Sequence, residues 1–80
     1  MTAHVYVTLK RTVLDAQGQT VHSALRGLGH QSITDLRQGK FFEIRLEGIS
    51  LEQARTEMEQ IAREVLSNPV IEDYKVEIVE

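Results

Sequence analysis

Three groups of residues in this chain carry side chains that could do chemistry. The first is His4, His22 and His30, since imidazole is a common metal ligand and a proton carrier near neutral pH. None shares a short ligand spacing with another, and the chain has no cysteine to supply a thiolate. The histidines therefore read as surface or half-buried side chains. The second group is Glu52, Glu57, Glu59 and Glu64, which invite a carboxylate-pair mechanism. They are interleaved with Arg55 and Arg63, and Glu59 and Arg63 are four residues apart. A solvated, salt-bridged helix face accounts for them.

The third group is Arg37-Gln38-Gly39-Lys40, the residue types of a phosphate-gripping loop. A Walker-type loop needs more glycines and feeds a helix N-terminus. This segment feeds a strand. Its first reading is a tight hairpin turn with Gly39 at positive φ. A glycine bend within one long strand and a genuine anion site are the other two readings. Ser23, Ser32, Ser50 and Ser67 have no nucleophile-elbow context. No catalytic constellation is expected, and no cofactor or metal site in this chain.

The elements that would position these groups follow from periodicity. In "VYVTL", Val5, Val7 and Leu9 take one face, with His4, Tyr6, Thr8 and Lys10 opposite, which predicts a half-buried strand. Asp15 offers an N-cap oxygen to a helix beginning near Ala16. Val21, Ala24, Leu25 and Leu28 predict a core-facing stripe on that helix, and Gly29 suits the left-handed residue past its end. A strand is expected around Ile33 to Arg37. In the next strand Phe42, Ile44 and Leu46 share a face, and Gly48 closes it.

Ser50 and Gln53 form a predicted capping box for a second helix. Its apolar stripe runs continuously through Leu51, Ala54, Met58, Ile61, Ala62, Val65 and Leu66. Asn68-Pro69 stops it. "YKVEIVE" alternates again, with Tyr74, Val76 and Ile78 on one face. The order strand, helix, strand, strand, helix, strand predicts an α+β fold of the split βαβ, ferredoxin-like kind. This is a two-layer sandwich, an antiparallel sheet with both helices on one face.

Eighty residues allow a single domain spanning 1–80, with a small core and marginal stability of its own. Small cysteine-free domains are usually intracellular. The opening residues hold no apolar run of signal-peptide length and nothing later is long enough for a membrane span, so a cytoplasmic chain without a membrane role is expected. The net charge of −3 argues against a nucleic-acid partner. Residues 1–40 hold five basic and two acidic side chains, a balance of +3; residues 41–80 hold four and ten, a balance of −6. That split could guide self-association or docking. The sheet face carrying Tyr6, Phe41 and Val79 is more apolar than a solvated face needs to be. It suggests an association surface, and a homodimer joined by sheet surfaces or strand edges is expected.

Several segments resemble a known family. "VYVTLKRTVLDAQGQTVHSALRGLG", "LRQGKFFEIRL" and "LSNPVIEDYKVEIVE" strongly resemble PurS, the small subunit of phosphoribosylformylglycinamidine synthase. The most specific parts are Leu14 to Gly18, Arg37 to Lys40 and Asn68 to Tyr74. The family often has proline where Ala16 stands, and alanine also suits a first helical turn. The resemblance implies a non-catalytic role in de novo purine biosynthesis. A glutaminase subunit releases ammonia, a large synthetase subunit carries out the ATP-dependent ligation, and the small subunit helps bring the two together. ATP and glutamine are then used by the partner subunits. Candidate interface residues are Tyr6, Arg37, Gly39, Lys40, Phe41, Asp73 and Tyr74. A dimeric ferredoxin-like regulatory module binding a small ligand is the alternative reading.

Overall fold

The computed structural model describes residues 1–80. It contains β1 (Thr2–Leu9), α1 (Ala16–Gly27), β2 (Gly39–Arg45), α2 (Leu51–Ile61) and β3 (Glu72–Val79). The strands form one sheet in the order β2-β1-β3, and both neighbours run antiparallel to β1. This is the expected α+β, split βαβ architecture, built on three strands rather than four.

The core lies between the sheet and α2. Strand alternation points Ala3, Val5 and Val7 of β1 to one face, where they are fully or almost fully buried. Ala54, Met58 and Ala62 of the second helical segment are buried as deeply, and Ala62 clusters with Val5 and Val7. Phe42, Ile44, Leu66, Tyr74 and Val76 surround this centre and are only partly buried.

The ends of α2 follow local chemistry. The Gln53 amide donates to Ser50 Oγ at 3.1 Å, and the Ser50 amide donates to Gln53 Oε1 at 3.0 Å, completing the predicted capping box. The helix then widens into a π-turn, Ala62–Leu66, in which both the amide and the hydroxyl of Ser67 donate to the Ala62 carbonyl. The extra residue rotates the stripe, so Val65, predicted to face inward, is 74% exposed. Beyond it the Asn68 side chain accepts from the Val70 amide at 3.1 Å, an Asx turn that leads into β3.

The first helix departs further from its sequence pattern. Its start is as expected, with Asp15 as N-cap, and Gly29 past its end has φ +101°. Its stripe is not core-facing, however. Val21 and Leu28 are exposed, Leu25 is half-buried, and α1 makes no substantial packing contact with any strand or with α2. The helix and the segment after it form an arm outside the sandwich.

That segment also corrects an expectation. Residues 33–38 form no regular element and pair with no strand, so no hairpin joins them to β2. They run back along α1, with a His22 ring nitrogen 2.8 Å from the Ile33 carbonyl oxygen. No helix is long and apolar enough to cross a membrane.

Candidate interaction site

The functional question converges on the junction between arm and sheet, where the Arg37 to Lys40 segment lies. Asp15 organises it. One carboxylate oxygen accepts from the Gly18 amide at 3.0 Å, and the other accepts from the Gln38 amide at 2.7 Å. Only 4% of Asp15 is exposed. The Gln38 bond, the Gly18 bond and the nearby Arg37 charge hold its carboxyl below the usual carboxylate range. A helix cap thereby doubles as the tie between α1 and the chain entering β2.

Gly18 makes that approach possible. A Cβ there would collide with the Asp15 carboxylate and lie 3.0 Å from the Leu36 carbonyl oxygen.

Arg37 turns inward. One of its terminal nitrogens donates to the carbonyls of Lys10 and Val13 at 3.0 and 3.1 Å, with the Leu9 carbonyl farther off at 3.5 Å. The guanidinium thus braces the β1–α1 connection. Gly39 corrects the turn reading: it is the first residue of β2, and its φ is not positive. Glycine is needed there because a Cβ would stand 2.6 Å from the Val7 carbonyl oxygen. Nor is there one long strand with a glycine bend inside it: an irregular segment enters the sheet at Gly39.

A cleft of about 220 Å³ opens beside Gly39, lined in part by Asp15, Gln17, Gln38, Lys40 and Glu72. Lys40 already faces Glu72 at 3.7 Å, and two carboxylates share the space. The balance is acidic, which disfavours a phosphate. Next to it Lys10 pairs with Asp73 at 3.0 Å on the surface.

The other candidate residues divide between the two sheet faces. Tyr6 and Phe41 are direct cross-strand partners on the outer face, with ring centroids 5.2 Å apart. His4 adds a third ring, 5.3 Å from Phe41. Tyr6, Phe41 and Val79 are 37%, 53% and 52% exposed, so no element of the chain covers this patch. Tyr74 instead lies on the inner face, packed against the core. A hydrogen bond to Glu59 of α2 pushes its phenol above the ordinary range, and burial adds to this. The predicted pair of Glu59 with Arg63 is not made; Arg63 lies 3.9 Å from Glu64.

The histidines do not converge. His4 is on the outer sheet face, His22 on α1 and His30 after it, and no group of three His, Asp or Glu residues is placed to hold a metal ion. Sequence reasoning missed the second bond of Asp15. It also missed Glu72, whose carboxylate accepts from the Asn68 amide at 2.7 Å. The first has no local signal, because its partner is 23 residues away; the second spans four residues and is an i, i+4 contact across the turn.

Comparison with known proteins adds the following. The family model for PurS, phosphoribosylformylglycinamidine (FGAM) synthase, matches residues 2–80. The phosphoribosylformylglycinamidine synthase subunit PurS of Mycobacterium leprae is 42% identical over 74 residues, covering 92% of this chain and 90% of that protein. The crystal structure of Bacillus subtilis PurS superposes with a TM-score of 0.84 at 36% identity, covering 99% of this chain and 98% of the other. A chain in the structure of PurLQS from Thermotoga maritima gives 0.86 at 29% identity, covering 95% and 93%.

Proposed function

The chain belongs to the PurS family, and from that membership we propose that it is the small, non-catalytic subunit of phosphoribosylformylglycinamidine synthase in de novo purine biosynthesis. The observation that carries this reading is the match over residues 2–80, joined to the likeness to a chain of PurLQS. The chain offers surfaces rather than reactive groups: a ring cluster of His4, Tyr6 and Phe41 on an uncovered sheet face, and a braced junction at Arg37 to Lys40. Its work is to help assemble a glutaminase subunit and a large ATP-dependent synthetase subunit in the cytoplasm. ATP and glutamine are substrates of those partners.

Self-association belongs to the same reading. The Cα radius of gyration is 16.0 Å. A compact chain of this length has about 12 Å, and one of twice the length about 15 Å. The protomer is thus more extended than a compact chain of its length, because the arm stands outside its core. The test is reconstitution: glutamine-dependent amidine formation by the two larger subunits, assayed with and without this chain. A clear gain in turnover and co-sedimentation of all three is expected. Equal turnover without the chain would refute the role.

A further inference from the structure

We propose that the cleft beside Gly39 binds a free amino acid with a carboxamide side chain, its carboxylate on Lys40, its ammonium on Glu72 and its amide on Gln17 and Gln38. This adds ligand binding to a chain whose proposed role is assembly, and it stands independently of that role.

The sheet itself places the two charges. Lys40 is the cross-strand partner of Val7, and Glu72 that of Leu9. Directly paired residues of antiparallel strands share a face. Both charges therefore lie on the inner face, the face of Val5 and Val7. Along β1 the apolar cluster stops at Val7. Charges on the core side of a sheet need partners or water. Here they line a cleft of about 220 Å³.

Glu72 is the most telling of the lining groups. Its side chain is only 13% exposed. One carboxylate oxygen accepts from the Asn68 amide at 2.7 Å. The other has the Lys40 ammonium at 3.7 Å, too far for a hydrogen bond. A carboxylate this sheltered ordinarily has its oxygens hydrogen-bonded. An ammonium group in the cleft supplies the missing donor. A ligand carboxylate then takes Lys40, the one cation among the lining residues. The Asp15 oxygens are already taken by Gly18 and Gln38. A zwitterion satisfies both free charges at once. A simple anion meets the repulsion of Glu72, and a simple cation that of Lys40.

The third contact comes from the two glutamines. The side-chain nitrogen of Gln38 donates to Gln17 Oε1 at 2.7 Å. This leaves the Gln17 nitrogen as a donor and the Gln38 oxygen as an acceptor, both on residues of the cleft wall. A primary carboxamide offers an acceptor to the first and a donor to the second. A carboxylate offers only acceptors, so the Gln38 oxygen would go unmatched. The volume is below the about 300–1,000 Å³ of sites for drug-sized molecules, and it suits a single amino acid.

The test titrates L-glutamine and L-asparagine into the full-length chain by calorimetry. Saturable binding of at least one is expected. L-glutamate, L-aspartate and inorganic phosphate should bind about tenfold more weakly or worse, the discrimination that one unmatched or charged contact gives. Lys40→Met and Glu72→Gln should each weaken binding by about tenfold or more. Glu72→Gln keeps an oxygen for the Asn68 amide, and circular dichroism checks both folds. Nuclear magnetic resonance on the wild type needs no variant: the side-chain amide signals of Gln17 and Gln38 should shift as the amino acid is added. Four outcomes overturn the site: no saturation by either amino acid at millimolar concentration, affinity unchanged in both variants, phosphate bound as tightly, or glutamine-pair signals that stay still at saturation. Equal affinity for the acid and its amide overturns the contact assigned to Gln17 and Gln38.

Discussion

Asp15 Oδ2 accepts a 2.7 Å hydrogen bond from the backbone amide of Gln38, although the two residues are 23 positions apart. Asp15→Asn keeps an oxygen for Gly18 but puts an amide nitrogen or a lost bond at Gln38. Because the folded-state pKa is depressed, the carboxylate's contribution is present above the unfolded value and is lost as pH falls through the folded one. The melting-temperature gap between wild type and Asp15→Asn should therefore be full at neutral pH and close on acidification below about pH 4, near the unfolded value. Thermal melts across that range check it; a gap independent of pH would mean the charge is not what matters.

Gly39→Ala places a methyl group against the Val7 carbonyl, where a Cβ would be 2.6 Å away. Backbone gives way poorly, so a loss of about 1–3 kcal/mol is expected, as for other overpacked sites. Urea unfolding measures it. The hairpin-turn reading, which needs positive φ, would make asparagine the best-tolerated replacement, whereas contact makes it worse than alanine. Here Gly39→Ser should cost about as much as alanine, and larger residues more.

Tyr74 should titrate above the ordinary phenol range, held there mainly by its hydrogen bond to Glu59. In a Tyr6→Phe background Tyr74 is the sole tyrosine, so phenolate absorbance reports on it alone. Glu59→Gln removes the charge and should move the midpoint down. A raised folded pKa means this contribution to stability holds below the unfolded value and fades as pH rises through the folded one. An unchanged midpoint in Glu59→Gln would refute the pairing.

Phe41→Glu or Tyr6→Glu places a carboxylate in the ring cluster of the outer face. Both side chains are exposed in the protomer, so secondary structure should be intact. Binding to the larger subunits should weaken by about tenfold or more if the patch is dry when covered, and glutamine-dependent turnover should fall with it. Titration calorimetry against each larger subunit identifies which one reads the patch. Unaltered affinity for both would show that this face is not used.

Val65→Glu and Met58→Glu separate the π-turn from a regular helix. On α-helical periodicity both are core positions. In the structure Met58 is 1% exposed and Val65 is 74% exposed. Val65→Glu should shift stability by no more than about 0.5 kcal/mol, whereas Met58→Glu should prevent folding. Equal damage from the two would place Val65 in the core after all.

The sequence by itself determined the elements whose signals are local. Alternation placed Val5 and Val7 inside β1, and Ser50 with Gln53 set the start of α2. Asp15 and Gly29 marked the ends of α1, and the segments around Arg37 to Lys40 and Asn68 to Tyr74 carried the family. These depend on neighbours a few residues away, and such contacts are written in spacing. Tertiary structure decided what depends on distant partners. Val21, Leu25 and Leu28 carry the stripe of a buried helix, yet periodicity cannot say whether its own sheet is within reach. Ile33 to Arg37 reads as a strand, but a strand needs an edge, and this chain turns the segment away from the one it has. Gly39 announces an unusual backbone position; only the Val7 carbonyl beside it shows that the reason is contact and not φ. Asp15 was legible as a cap and illegible as a tie, because the fold, not the spacing, brings Gln38 to its second oxygen.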